Sequence, residues 1–396
     1  MKNVVNCLSI FALSGLLSMP SAAQGIKANP QAPSAQEPKL RAVPVASGLE
    51  HPWGLAFLPQ GRMLVTEREG RMRLVEASGA VAAPLLGLPP VVSGGQGGLL
   101  DVVVDADFAT NRTIYWCYSQ PDAAGRANST ALARGRLSGD AMSLLDVKVL
   151  FSQLPKVVSN LHFGCRIVQT GDMLYLTTGD RYSRSQDAQK LDNHLGKVLR
   201  IHTDGRIPKD NPFVGTIGAL PEIFSLGHRN MQGAALDAQG RLWTHEHGPQ
   251  GGDEINRPSA GRNYGWPVIG YGEQYGGGAI GEGISARAGL EQPLHYWLPS
   301  IAPSGMAFVN SERYGPAWRG NLLVGALRGQ ALHRLELASG AEPAGSREPA
   351  GARVVRETKL LTELKERIRD VRLGPDGWIY LLTDSASGRV LRLELQ

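Results

Sequence analysis

The sequence predicts an all-β protein folded as a six-bladed β-propeller. Six stretches repeat one pattern, in which an apolar strand is followed by a turn that carries glycine and then by a second apolar strand. The three closest copies are residues 54–67, 233–246 and 370–383, and the looser copies are residues 101–118, 165–178 and 305–326. Apolar residues seldom recur with the helical period of about 3.6 residues. Six antiparallel units exceed what one two-sheet sandwich usually holds, whereas a radial arrangement leaves few strand edges exposed.

The composition fits a large globular domain that is rich in turns. The 396 residues include 49 glycines and 25 prolines, and 42% are hydrophobic and 19% charged. This apolar fraction supplies a sizeable core, and the charge content is too low for a disordered chain. The formal net charge is +5, but no run of Lys or Arg concentrates it, which argues against nucleic-acid binding and favours a local anionic ligand. The chain has no P-loop, dinucleotide-binding or nucleophile-elbow motif, so we expect neither a nicotinamide nor an ATP site.

The first 23 residues have the pattern of a secretory signal peptide. Lys2 provides the positive start, residues 7–17 form a short apolar run, and Ser-Ala-Ala precedes the cleavage point. The run is shorter than the ~20 apolar residues that span a bilayer, and no later stretch approaches a membrane span. We therefore expect an exported protein, periplasmic or secreted, with residues 24–39 as a flexible leader and residues 40–396 as the propeller.

Cys117 and Cys165 are the cysteines that remain after the signal peptide. An exported protein folds in an oxidising compartment, which favours a disulfide between them. Two buried free thiols are the alternative.

Five polar residues occupy equivalent positions before the first strand of their repeats. In a propeller the innermost strand of every blade begins near one end of the central axis, so residues just before it converge on one ring. His51, Asn230 and Arg367 lie ten residues before the turn glycine of their units, and His162 lies nine residues before its own. Gln96 precedes the inner strand of another unit in the same way. This register predicts a polar site at one end of a central channel.

Two segments of this ring carry groups suited to proton transfer and to the stabilisation of negative charge. His162 is the candidate general base, because an imidazole with a pKa near ~6.5 accepts a proton at neutral pH. Arg229 and Asn230, in the donor-rich segment Gly-His-Arg-Asn-Met-Gln, are candidates to stabilise an anionic oxygen. A structural histidine and an asparagine-capped turn are the alternatives.

Arg367 and Arg369 lie two residues apart on a predicted strand, so their guanidinium groups share one face. Two adjacent positive charges need an anionic ligand or nearby carboxylates to offset their repulsion. Glu366 and Asp370 flank the pair and are the carboxylates available locally.

Residues 246–256 form an oxygen-rich loop that combines carboxylates, exposed carbonyls and glycines. Such a loop suits a hard cation such as Ca²⁺, which takes about 6–8 oxygen ligands. An ordinary acidic turn is the alternative.

Eight motifs follow one another along the chain. They are Gly94-Gly-Gln-Gly-Gly-Leu-Leu-Asp101, His162-Phe-Gly, Leu191-Asp to Asp210-Asn-Pro-Phe213, Gly227-His-Arg-Asn230, Glu246-His-Gly-Pro to Asn256, Asn263-Tyr-Gly-Trp-Pro267, Gly305-Met-Ala-Phe308 and Arg367-Ile-Arg-Asp370. Together they resemble the soluble quinoprotein aldose sugar dehydrogenases of the glucose/sorbosone dehydrogenase family, over residues 43–395. Those enzymes are six-bladed propellers that use pyrroloquinoline quinone (PQQ) and calcium, so the resemblance implies this fold and these cofactors.

The resemblance also implies roles for single residues. His162 is similar to the base that removes the proton from the anomeric hydroxyl of an aldose while a hydride passes to the quinone. Arg229 corresponds to the residue that binds the quinone C5 oxygen, with Asn230 beside it. The remaining residues of the implied cofactor cage are Gln96, Tyr275, Arg328, Arg367 and Arg369. Their cations suit a cofactor that is a tricarboxylate.

Two calcium sites are implied in the same way. Gly248 and Pro249 resemble the pair whose main-chain carbonyls hold the calcium that acts as a Lewis acid on the quinone. Glu254, with the Tyr264 carbonyl, resembles a second, structural calcium site.

The chain departs from the family pattern at some positions. Arg328 stands where a lysine is usual, so a planar guanidinium would contact the cofactor there. Met231 replaces a usual proline. Cys165 occupies the place of a usual glycine at the start of one blade, with Cys117 on the preceding blade, so a bond between them would join two blades.

We therefore expect an exported oxidoreductase that converts aldose sugars to lactones and passes the electrons to an external acceptor. A calcium-dependent propeller hydrolase, such as a lactonase, is the alternative enzyme, although it leaves the arginine cage without an anion. A non-enzymatic sugar- or protein-binding propeller is the third interpretation.

Overall fold

The computed structural model describes residues 38–339 and 352–396. Within these residues, 24 strands form six four-stranded antiparallel sheets, which confirms the six-bladed β-propeller. The first strand begins at Leu40. The predicted signal peptide and residues 24–37 of the predicted leader lie outside the described residues. Among the described residues, no helix combines the length and the apolar character needed to cross a membrane.

The strands of each sheet follow the chain from the central channel outward, except in the last sheet. In chain order the strands are β1 (Leu40–Leu49), β2 (Pro52–Phe57), β3 (Met63–Glu67), β4 (Arg71–Val75), β5 (Val81–Pro84), β6 (Leu99–Val104), β7 (Thr113–Pro121), β8 (Asn128–Leu137), β9 (Leu144–Ser152), β10 (Gly164–Thr170), β11 (Met173–Thr178), β12 (Lys197–His202), β13 (Ile223–Leu226), β14 (Met231–Leu236), β15 (Leu242–Glu246), β16 (Asp253–Asn256), β17 (His295–Trp297), β18 (Pro303–Phe308), β19 (Leu322–Ala326), β20 (Ala331–Ser339), β21 (Ala352–Leu360), β22 (Ile368–Leu373), β23 (Ile379–Thr383) and β24 (Gly388–Leu395).

These strands are grouped into six blades. Strands β2–β5 form blade 1, β6–β9 blade 2, β10–β13 blade 3, β14–β17 blade 4 and β18–β21 blade 5, while β22–β24 form blade 6 together with β1. The described helices are short and lie in the connections. They are one α-helical turn at Phe108–Asn111 and 3₁₀ turns at Pro59–Gly61, Ser185–Gln189, Pro316–Trp318 and Thr362–Leu364.

Blade 6 combines the first and the last of the described strands. Strand β1 pairs with β24 in antiparallel register, with Leu40 opposite Leu395 and Leu49 opposite Gly388. The N-terminal strand therefore completes the blade whose other three strands come from the C-terminal end. The ring is closed by strand pairing, so its two ends separate only when this pairing breaks.

The glycines that open the repeats allow neighbouring inner strands to approach each other closely. A Cβ placed on Gly54 of β2 would lie 2.9 Å from the Leu100 carbonyl oxygen of β6. A Cβ on Gly305 of β18 would overlap Asp370 of β22. Because glycine has no side chain, six strands can surround a narrow channel at these points, while large residues such as Trp116 pack between the sheets.

Four charged side chains meet across this channel. Arg166 on β10 pairs with Asp101 on β6 at 3.1 Å and with Asp370 on β22 at 3.0 Å. Arg372, also on β22, pairs with the same two aspartates at 2.5 and 2.8 Å. Blades 3 and 6 are opposite in the ring, so the pairs span the channel, and their charges cancel. Both aspartates also accept a backbone N–H from a neighbouring blade.

Cys117 on β7 and Cys165 on β10 are joined by a disulfide, with their Cα atoms 5.8 Å apart. The bridge connects blade 2 to blade 3, as the inter-blade interpretation predicted. Cys165 follows His162 by three residues, so the bridge anchors the segment that carries the candidate base.

We predict that Arg166→Met lowers the free energy of unfolding by about 3–5 kcal/mol, because it leaves two buried carboxylates with one guanidinium. Urea unfolding followed by tryptophan fluorescence measures the change. The control is Arg136→Met, which removes an exposed pair with Asp146 and should change stability by less than about 1 kcal/mol. Equal effects of the two substitutions would mean that the channel pairs contribute no more than a surface ion pair.

Candidate functional site

The inner strands of all blades begin at one end of the channel, and we call the residues just before them, with the loops around them, the mouth. Hydrogen bonds between blades show that the predicted ring residues converge there. The backbone N–H of His162 donates to Gln96 Oε1 at 2.8 Å, which links blades 2 and 3. The N–H of Gly164 donates to Asn230 Oδ1 at 3.1 Å, which links blades 3 and 4.

The hairpin of blade 3 brings a carboxylate to His162. Gly164 on β10 pairs with Thr178 on β11, so the residue before the first strand lies beside the residue after the second. His162 Nδ1 is 2.6 Å from Asp180 Oδ1, and the other Asp180 oxygen accepts the indole N–H of Trp266 at 2.7 Å. A carboxylate accepts, so Nδ1 carries the proton and Nε2 is the nitrogen left to act as a base.

The protonation states of this pair suit that role. Burial and the nearby positive charge of Arg229 lower the pKa of His162 below its ordinary value, against the opposing effect of Asp180. Burial raises the pKa of Asp180, but its hydrogen bond with His162 and the surrounding positive charges outweigh burial and hold this pKa below its ordinary value. At neutral pH the pair is therefore a neutral imidazole that donates to a carboxylate.

His162 faces a cavity of about 130 Å³ at the mouth. Polar and aromatic side chains from four connections between strands surround it. They are His162, Asp180, Tyr182, Ser185, Arg229, Trp266, Gln274 and Tyr275. The predicted base, the predicted anion-stabilising arginine and Tyr275 thus share one hollow.

Arg229 and Asn230 present buried donors at the mouth. One guanidinium nitrogen of Arg229 donates to the His247 carbonyl at 3.0 Å, and the guanidinium lies 5.3 Å from the Trp266 ring. Its Nε, and Nδ2 of Asn230, are buried without a hydrogen-bond partner among the described residues. Most buried donors in proteins are paired, so two unpaired donors here favour a ligand that accepts hydrogen bonds.

The four predicted metal-binding residues line one small second cavity, of about 20 Å³. They are Gly248, Pro249, Glu254 and Tyr264. Arg229 and Trp266 border both this cavity and the cavity at His162. A volume of this size holds about one water molecule, and therefore also one small ion.

The charges around the second cavity favour a cation. Asn256 Nδ2 donates to Glu246 at 3.2 Å and to Glu254 at 3.1 Å, so two carboxylates lie side by side. Burial and the Glu246 carboxylate raise the pKa of Glu254 to about 8. Within the described residues no three or more His, Cys, Asp or Glu side chains are arranged as a metal site. A cation here would therefore depend on main-chain carbonyls as well as on Glu254.

The arginine pair is balanced by a carboxylate that the sequence analysis did not select. Arg367 and Arg369 both donate to Asp384, at 3.0 and 2.8 Å. The expectation that Glu366 and Asp370 offset these charges is wrong, because each forms ion pairs with other arginines. Asp384 follows β23, the hairpin partner of β22, so it is near the pair in space rather than in sequence.

The remaining predicted cage residues lie around the mouth, outside both cavities. Arg367 is partly exposed. Arg369 is buried, and its guanidinium also donates to the side-chain oxygen of Gln232. Arg328, just after β19, is exposed, and its side chain has no hydrogen-bond or ion-pair partner within the part of the chain that the structure describes. Gln96 holds the backbone of His162.

Sequence reasoning missed Asp180 and Trp266, and for Asp180 a signal was present. The second strand of several repeats ends at or just before an acid: Glu67, Asp180, Glu246 and Asp384. The second strand of a blade ends at the same end of the channel at which the first strand begins. These acids therefore lie at the mouth, together with the predicted residues that precede the first strands. Trp266 lies in a long connection without any such register.

The fold is a six-bladed β-propeller, and its candidate site lies at the mouth of the central channel. The family model for Glucose / Sorbosone dehydrogenase matches residues 49–392. The chain therefore belongs to the glucose/sorbosone dehydrogenase family.

Individual relatives agree with this assignment. The chain is 44% identical to the aldose sugar dehydrogenase YliI of Escherichia coli K12, over 87% of this chain and 90% of the relative. Its fold is similar to the apo-form structure of the soluble E. coli aldose sugar dehydrogenase, with a TM-score of 0.84, 41% identity and coverage of 90% and 100%. It is also similar to the PQQ-bound aldose sugar dehydrogenase of Streptomyces coelicolor, with a TM-score of 0.71, 28% identity and coverage of 90% and 98%.

We predict that the imidazole of His162 titrates below pH 6.5 and that Asp180→Asn lowers its pKa further. The Asp180 carboxylate stabilises the protonated ring, so its removal favours the neutral ring. NMR titration of the histidine side chains measures both values, and the other histidine signals serve as the internal control. An increase of the His162 pKa in the Asp180→Asn protein would contradict the assigned geometry.

Proposed function

We propose that this protein oxidises aldose sugars at C1 to lactones, with PQQ and calcium as cofactors, and passes the electrons to an external acceptor. The observation that carries the proposal is the His162–Asp180 pair, which faces a cavity bounded by Arg229. A base and a fixed cation on one hollow are the groups that oxidation of a sugar hydroxyl requires. The names of the E. coli and Streptomyces relatives support the substrate class and the quinone.

His162 removes the proton of the anomeric hydroxyl through Nε2. Its lowered pKa keeps the ring neutral at pH 7, ready to accept that proton. The Asp180 carboxylate fixes the ring through Nδ1 and stabilises the positive charge that develops on it. Trp266 in turn fixes the carboxylate, so the base is oriented before the sugar arrives.

The residues of the mouth fit a polyanionic quinone. Arg229 Nε and Asn230 Nδ2 are buried donors without partners in the described chain, and Arg328 is a cation without an ion pair there. Arg367 and Arg369 bring two positive charges against the single Asp384 carboxylate. When bound, PQQ supplies the two-electron acceptor for the hydride, and calcium polarises it. The chain's own groups that would bind and orient the quinone are Gln96, Arg229, Asn230, Tyr275, Arg328, Arg367 and Arg369.

The second cavity fits calcium. Gly248 and Pro249 would offer main-chain carbonyls, and Glu254 and Tyr264 would hold the structural ion. The support for this proposal is the repulsion between Glu246 and Glu254, which a cation relieves. Family membership favours the dehydrogenase over the lactonase and over a non-enzymatic binding protein.

Export is part of the proposal. The disulfide between Cys117 and Cys165 supports it, because disulfides persist mainly in oxidising compartments. A periplasmic or secreted enzyme would deliver its electrons to an acceptor outside the cytoplasm.

We predict that purified protein reconstituted with PQQ and Ca²⁺ reduces a dye with glucose, and that His162→Gln lowers kcat by ~10²–10⁴ through loss of the general base. Dye reduction over a panel of mono- and disaccharides measures activity, and absorbance titration measures quinone binding. The control is His202→Gln, which changes a histidine at the opposite end of blade 3.

Two results would contradict the proposal. Absence of dye reduction with every aldose would remove the dehydrogenase activity. Loss of quinone binding by His162→Gln, at unchanged folding, would assign this residue to the cofactor cage instead of the base.

We predict that Ca²⁺ raises the melting temperature of the wild-type protein and that Glu254→Gln abolishes this response. Calcium at a hundredfold excess over its Kd adds about 2.7 kcal/mol to the stability of a protein with one site. In EDTA the variant should be about as stable as the wild type, because a Glu254 carboxyl with a pKa of about 8 is already largely neutral at pH 7, as the amide is. Thermal melts with Ca²⁺ and with EDTA measure both effects. Glu312→Gln, at an exposed glutamate, is the control; a full Ca²⁺ response in Glu254→Gln would exclude the site.

A further inference from the structure

Tyr182 presents an aromatic ring to solvent beside the candidate base. It is 48% exposed although it lines the cavity at His162. Its ring meets the His162 ring edge to face, with the centroids 5.3 Å apart. The centroid of the Tyr275 ring lies 6.4 Å from that of the Tyr182 ring, and Tyr275 is 57% exposed. We call Tyr182 and Tyr275 together the aromatic rim.

The backbone that carries Tyr182 is held in an unfavourable conformation. Arg181 and Tyr182 both have left-handed backbone angles, with φ of 59° and 67°. A bulky side chain seldom adopts this conformation, which glycine adopts without steric penalty. The fold enforces it, because Tyr182 N–H donates to Asp180 Oδ1 at 2.8 Å and buried Arg181 donates to the Leu161 carbonyl at 2.7 Å. Strain of this kind is concentrated at functional sites.

The Tyr182 ring contributes little to the fold that holds it. About half of the residue is in contact with solvent, and its hydroxyl has no hydrogen-bond partner among the described residues. A tyrosine kept for stability would bury its ring and pair its hydroxyl. The Tyr182 ring is therefore available to contact a bound ligand.

The size of the cavity indicates which ligand contacts the Tyr182 ring. Sites that enclose a small molecule usually measure about 300–1,000 Å³, whereas this cavity measures about 130 Å³. A sugar whose C1 reaches His162 must therefore extend past the aromatic rim. Sugar rings have an apolar C–H face, and an exposed aromatic ring offers the matching apolar surface.

We infer that Tyr182 is a specificity-determining residue, which stacks on the apolar face of the aldose and favours di- and oligosaccharides whose further rings extend along the aromatic rim. This inference rests on the proposed function. Tyr182 binds the substrate and takes no part in proton transfer. The contact is made in the ground state and in the transition state alike, so it acts on KM more than on kcat.

Steady-state kinetics of the reconstituted enzyme with glucose and maltose test the inference. Tyr182→Gly should raise KM for maltose by about tenfold, the effect of one aromatic contact, and raise KM for glucose less. Tyr182→Phe should restore most of the affinity, because the hydroxyl has no partner in the described chain. Ile217→Ala, which removes an exposed apolar side chain in the connection between β12 and β13 that does not line this cavity, is the control.

A second measurement separates a binding role from a structural one. The melting temperature of Tyr182→Gly should be unchanged or higher, because glycine relieves the left-handed backbone. A lower melting temperature, or a fall in kcat with unchanged KM, would overturn the inference and assign the ring to the support of His162. Unchanged KM for both sugars would overturn it while the proposed function stands. A wild-type enzyme that oxidises no aldose would overturn both.

Discussion

The ion pairs across the channel are the interaction on which the mouth depends. Arg166 reaches from blade 3 to carboxylates of blades 2 and 6, and those carboxylates accept backbone N–H groups from their neighbours. These contacts fix the positions of the inner strands along the channel axis relative to one another. His162, Asn230 and Arg367 each lie just before an inner strand. The same contacts therefore fix the positions of these site residues along the channel axis. The charges in the channel are thus a structural requirement for a site assembled from separate blades.

Much of this arrangement could be predicted because it follows from periodicity. The repeat defined the inner strands, and counting back from the turn glycine placed His162 and Asn230 at one end of the channel, while Gln96 was placed there by its position before the apolar run of its own unit. The same counting applied to the ends of the second strands would have found Asp180 and Asp384. Local sequence was misleading for Arg367 and Arg369, since Glu366 and Asp370 are adjacent in the chain but pair elsewhere.

The rest of the site lies in connections without a repeat. Trp266 and Tyr275 come from the long segment between β16 and β17, and their approach to Arg229 depends on how that segment packs. Tyr182 depends on two consecutive left-handed residues, which no sequence pattern marks. A loop of this kind can change without disturbing the strands beneath it, so its residues follow no pattern that the strands impose.

The pairing of β1 with β24 in blade 6 has a consequence for how the protein is made. Among the described strands β1 is synthesised first and its partner β24 last, and Gln396 donates a backbone hydrogen bond to Lys39 beside β1. The ring therefore cannot close until β24 has been synthesised, and contacts between such distant residues form slowly. Until then the edge of β1 that pairs with β24 is exposed to other chains, which makes incomplete molecules prone to aggregation. The same adjacency makes this protein a favourable scaffold for circular permutation, with new ends placed in a surface loop of another blade.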